Sequence, residues 1–73
     1  MERKEEILSK FGKQLATLRK QKGLTVNELA AATRLDTARI REIEAGQVNL
    51  LFTTIMVLAR GLGVNPDSLL KTL

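Results

Sequence analysis

Apolar residues recur along this chain at intervals of three and four, and no stretch alternates long enough to argue for a strand. Leu8, Phe11, Leu15 and Leu18 make one stripe, which predicts a first helix over about Arg3 to Lys22. Glu2, Glu5 and Glu6 suit the positive end of its dipole, Lys20 and Lys22 suit the negative end, and Gly23 stops it with Leu24 tucked beneath. Thr25 with Glu28 three residues later reads as a capping box opening a short second helix, whose inner face is Leu29 and Ala30. A turn is expected at Thr33–Leu35, then a third helix capped by Asp36 and ended by Gly46. Gln47, Val48 and Asn49 form a loop. Phe52, Ile55, Leu58, Ala59 and Leu62 predict the inner stripe of a fourth helix over about Thr53 to Leu62, weakened by Gly61 and ended by Gly63. Asn65-Pro66-Asp67 starts a fifth helix, from which Leu69, Leu70 and Leu73 close the core. The expectation is a single compact all-α domain of five helices over residues 1–73.

The organising stretch is Thr25 to Gly46. With Ile40, Ile43 and Glu44 turned inward, Ala38, Glu42 and Ala45 point the other way, with Arg39 and Arg41 on the flanks. Two short helices joined by a tight turn, the second with a small-residue, basic outer face, suit a reader of the DNA major groove.

Composition narrows the picture. A chain of 73 residues buries only a modest core. Without histidine or cysteine it lacks the commonest general base, the thiol nucleophile and the usual metal ligands, which argues against an enzyme and against a metal or other cofactor. The net charge of +4 is unevenly spread: no acid lies between Lys10 and Lys22, and Arg34, Arg39 and Arg41 surround the third helix. A localised basic surface suits a polyanion, although an excess this small also fits an ordinary solvated face. No apolar segment follows MERKEE, and the run Leu50–Ala59 is too short to span a bilayer, so no membrane association and a cytoplasmic location are expected.

LRKQKGLTVNELA, RIREIEAG and LARGLGV together resemble the helix-turn-helix family of lambdoid phage repressors, Cro and many small bacterial regulators, over about Phe11 to Leu70. The resemblance implies a lambda-repressor-like domain, an ion pair between Arg19 and Glu44, and a two-fold dimer interface in the region of the fourth and fifth helices. It implies a sequence-specific transcriptional regulator, a homodimer on double-stranded DNA at a pseudo-palindromic operator. Base contacts are expected from Thr37, Ala38, Arg41 and Glu42, and phosphate contacts from Lys22, Asn27, Arg34, Arg39, Ala45, Gln47 and Asn49. Of the arginines, Arg41 is expected to read a base, with Arg39 paired to Glu42. The chain departs from the family pattern at Val26, where a phosphate-gripping glutamine is common, and at Thr33-Arg34, where small residues are usual and the turn is here expected to lose its freedom to take a positive φ. It departs again at Leu50-Leu51, where Pro and a Ser or Thr cap are usual. The few polar groups on the third helix make phosphates the expected main hold. Leu50, Leu51, Met56 and Val57 exceed what the core needs and point either to a protein contact or to a repacked core edge. That contact is the dimer or, in the alternative reading, the surface of an interaction module such as an antitoxin-type partner or part of a larger regulator.

Overall fold

The helices lie in the expected order: α1 (Lys4–Gln21), α2 (Val26–Thr33), α3 (Thr37–Glu44), α4 (Phe52–Leu62) and α5 (Pro66–Leu70). This computed structural model describes residues 3–71 and residue 73; Glu2, assigned above to the first dipole, lies outside them. No strand occurs among the described residues.

Local chemistry sets the boundaries. After α1, the Gly23 N–H donates to the Lys20 carbonyl and the Leu24 N–H to the Arg19 carbonyl, both at 3.0 Å. Gly46 and Gln47 repeat the pattern after α3, on the carbonyls of Ile43 and Glu42. This reversal needs a left-handed residue, and Gly46 supplies it at φ 72°. α2 opens on the reciprocal capping box: Thr25 Oγ1 accepts from the Glu28 N–H at 3.0 Å, and the Glu28 carboxylate accepts from the Thr25 N–H at 2.8 Å. Those bonds hold the Glu28 carboxyl below its ordinary pKa. Asp36 and Asn65 occupy the N-cap positions of α3 and α5 in extended backbone, but neither side chain makes a capping bond.

Phe11, Leu15 and Leu18 of α1, Leu29 and Ala30 of α2, Ile40 and Ile43 of α3, Leu58, Ala59 and Leu62 of α4 and Leu69 of α5 share one buried cluster. α1 packs on α3 and α5, α2 on α3 and α4, and α4 on α5. The Gln14 side chain joins α1 to α5 by donating to the Ser68 carbonyl at 2.8 Å. α3 is thus held from behind by α1 and α2.

Three expectations are corrected and a fourth gains a reason. Phe52 is 70% exposed, because it is the first residue of α4 and that turn extends past the core; Leu50, half-buried just before it, packs on the core edge instead. Gly61, expected only to weaken α4, has a packing reason. A Cβ there would lie 2.5 Å from the Thr33 methyl, so it is where α4 closes on α2. Leu73 is 51% exposed and does not close the core. The turn does take a positive φ, and Arg34 itself adopts it at 61°. A left-handed L-residue costs about 1–2 kcal/mol. Complete burial of Ile40 and Ile43 stabilises by about 1.5–3 kcal/mol each, which outweighs the strain.

Candidate nucleic-acid interface

α3 has eight residues, so it is about 12 Å long. Its period sends Ile40 and Ile43 into the core and leaves Ala38, Arg41, Glu42 and Ala45 exposed. Positions 38, 41, 42 and 45 are spaced by three, four and seven, so they form one continuous stripe. Thr37 and Arg39 flank it, half-buried.

One guanidinium fixes the attitude of α3. Arg19 Nε donates to Glu44 Oε2 at 2.7 Å and Nη2 to Oε1 at 3.2 Å, a two-pronged ion pair. Its Nη1 donates to the Leu24 carbonyl at 2.9 Å, on the loop that enters α2. The Glu44 hydrogen bond pushes the Arg19 pKa up, against the opposite pull of burial. Arg19 therefore ties α1, the start of α2 and the end of α3 together. Gly12 completes this junction: a Cβ there would strike the Glu44 carbonyl oxygen and lie 2.5 Å from that of Ile43. Sequence reasoning passed over Gly12. Its signal was a glycine inside an otherwise regular helical stripe, where Gly is about 1 kcal/mol worse than Ala without a packing reason.

The turn is tied by Thr33, placed in it by the sequence but given no role there. Its buried hydroxyl donates to the Leu29 carbonyl at 2.8 Å and accepts from the Leu35 N–H at 3.3 Å. Across the turn, Thr37 Oγ1 donates to Asn27 Oδ1 at 3.1 Å, joining the N-terminal ends of α2 and α3. With its oxygen taken, Asn27 retains its two amide N–H groups as donors. The same bond uses the Thr37 hydroxyl hydrogen, so Thr37 is left to a base only as an acceptor.

The expected phosphate contacts Lys22, Asn27, Arg34, Gln47 and Asn49 are all exposed. Among the described residues, Arg34, Arg39 and Arg41 make no ion pair. The expected Arg39–Glu42 pair does not form, so Glu42 is a free acceptor and both arginines are free donors. Val26 is half-buried against the core and offers no polar grip. Among the described residues no group of three or more acids could hold a metal ion, and no helix is long and apolar enough to cross a membrane.

A second surface lies on α4, which packs chiefly on α2 and α5. Leu51 is 65% exposed, and Met56 and Val57 are exposed as well. Phe52 joins them, as the neighbour of Met56 one helical turn away. Leu50 belongs to the core edge rather than to this open patch.

A family described as helix-turn-helix domain matches residues 10–73. Among solved structures, the restriction-modification controller protein C.AhdI from Aeromonas hydrophila is 39% identical, over 85% of this chain and 94% of that one, with a TM-score of 0.83. The restriction-modification controller protein C.Esp1396I, solved as a tetramer in complex with its natural 35 base-pair operator, is 29% identical over 90% of this chain and 87% of that one, also at 0.83. An HTH_3 family transcriptional regulator from Vibrio cholerae is 26% identical over 96% of this chain and 39% of that one, at 0.90. No curated protein matches the chain.

Proposed function

This chain belongs to the helix-turn-helix domain family, and from that premise we infer that it is a DNA-binding transcriptional regulator. The observation that carries the inference is the outer face of α3: a free stripe of Ala38, Arg41, Glu42 and Ala45, bordered by arginines with no carboxylate partner. Small residues at both ends let the helix sit deep in the major groove. Arg41 carries the donors for guanine O6 and N7. Thr37, Ala38 and Glu42 complete the base-facing set, and Ala38 has a methyl suited to thymine. Lys22, Asn27, Arg34, Arg39, Ala45, Gln47 and Asn49 hold phosphates, with Asn27 taking over the role that Val26 cannot fill. No bond is made or broken; occupancy of the operator is the function, and its setting is the cytoplasm.

Two copies, joined through Leu51, Met56 and Val57 with Phe52 added, set two α3 helices in successive major grooves about 34 Å apart. C.Esp1396I was solved as a tetramer in complex with its natural operator, and the likeness supports an assembly of this kind. Leu51→Glu should turn a dimer at micromolar concentration into a monomer in analytical ultracentrifugation. The exposed α4 patch also favours a second reading, a module that binds another protein and not DNA.

Titrations of Arg39→Ala and Arg41→Ala against a selected site and a scrambled duplex, at several salt concentrations, separate the readings. A phosphate contact weakens all sequences alike, and its loss lowers the log-log salt slope by about 0.9. A base contact loses about 1–3 kcal/mol on its own site alone. Arg41 is expected to behave as the second and Arg39 as the first. If neither variant changes affinity for any duplex, α3 is not in the groove and the protein-binding reading replaces this one.

A further inference from the structure

The geometry points to Glu42 as a specificity determinant that accepts a hydrogen bond from the exocyclic amino group of a cytosine, and this rests on α3 lying in the major groove. Along the exposed stripe, Ala38 and Ala45 have no polar side-chain atoms. The reach into the groove is therefore left to adjacent residues of opposite character. A guanidinium such as that of Arg41 only donates, and a carboxylate such as that of Glu42 accepts. Glu42 is exposed, and its carboxylate has no hydrogen-bond or ion-pair partner among the described residues, so no contact among them accounts for an acid on this face.

A free carboxylate brought against DNA must find a donor or be desolvated beside phosphates without one. The groove edge of cytosine carries the N4 amino donor and no acceptor. Adenine sets its N7 acceptor beside its N6 amino group, which repels a second acceptor, and guanine and thymine present no donor. A cytosine is therefore the base edge that best suits this side chain. Since guanine O6 and cytosine N4 share the groove edge of one base pair, Arg41 and Glu42 side by side can read neighbouring atoms of the same or the next pair. Against every other edge Glu42 lowers affinity, so it also suppresses binding to random duplex.

The test compares wild type, Glu42→Gln and Glu42→Ala on a selected duplex, on its single-base variants, on random duplex, and on the selected duplex with N4-methylcytosine at the position found. Both substitutions replace an exposed, unpartnered side chain, so folding should be unchanged; thermal melts check this. The expected result has three parts. Random duplex binds the variants more tightly than wild type. The preference for cytosine at one position falls by about ten-fold or more in both variants. N4-methylation, which puts a methyl in place of the free amino hydrogen, weakens wild type and leaves Glu42→Ala unaffected. The proposal is overturned if both variants keep the wild-type preference at every position and the wild-type affinity for random duplex. If Arg41→Ala still loses its site in that case, the groove reading stands and only the role of Glu42 falls; if wild type binds no duplex at low salt, both fall.

Discussion

Removing the Arg19 side chain should uncouple three helices at once. Arg19→Ala deletes both prongs on Glu44 and the bond to the Leu24 carbonyl, and leaves the Glu44 carboxylate with no cation. Breaking a fully buried pair from one side costs about 3–5 kcal/mol. Here the two side chains retain 11% and 14% exposure, so water reaches the orphaned carboxylate and the lower end applies, about 3 kcal/mol. A domain of this size has a total stability of only about 4–10 kcal/mol, so the variant should be marginal, with a Tm about 12–24 °C lower. Glu44→Ala should cost less, about 2 kcal/mol, because the guanidinium keeps its bond to Leu24 and some access to water. The double variant should lie well short of the sum, with a coupling of about 1–3 kcal/mol. Urea and thermal melts followed by circular dichroism read all four proteins. Additive losses, or a loss under about 1 kcal/mol for Arg19→Ala as for a surface ion pair, would mean that Arg19 and Glu44 do not couple the helices.

Further expectations follow from the same contacts. Arg34→Gly relieves the left-handed strain at φ 61° and should raise stability by about 0.5–1 kcal/mol in melts, while lowering the salt slope of DNA binding; a drop in stability would mean that Arg34 makes compensating contacts. Gly12→Ala gains about 1 kcal/mol of helix propensity but collides with the carbonyls of Ile43 and Glu44. The collision with backbone should win and lower the Tm, whereas a raised Tm would show that α1 and α3 do not meet there. Acid should weaken the start of α2. The folded pKa of Glu28 is depressed, so its stabilising effect is full above the ordinary carboxylate range near about 4.3 and is lost as pH falls through the lower folded value. In Glu28→Gln that part of the acid-side fall in Tm should be absent, and identical acid profiles would count against the cap.

Much of this architecture was legible because its signals are local. The three-and-four spacing placed Ile40 and Ile43 inside and Ala38, Glu42 and Ala45 outside, and Thr25 with Glu28 marked the start of α2. Features that depend on a second element were harder to read. Gly12 matters because the end of α3, about thirty residues later, presses on it. Phe52 fell outside the core because periodicity gives the face of a helix but not how far the helix overhangs its neighbours. Arg34 is left-handed because two packed helices demand it, although its residue type speaks against it. The exposed stripe was visible from helical spacing alone, but the Asn27–Thr37 bond, which ties α2 to α3 and leaves the Thr37 hydroxyl only as an acceptor, emerged only when α2 and α3 were seen side by side.

Whether α3 meets DNA is read most directly by two-dimensional 15N–1H NMR of the labelled protein during titration with duplex at low salt. Amide shifts should concentrate at residues 37–45, at Asn27 and at Arg34, with little change around Leu51 and Phe52 once the assembly state is held constant. Shifts confined to the α4 patch, or none at any duplex concentration, would mean that α3 does not meet DNA.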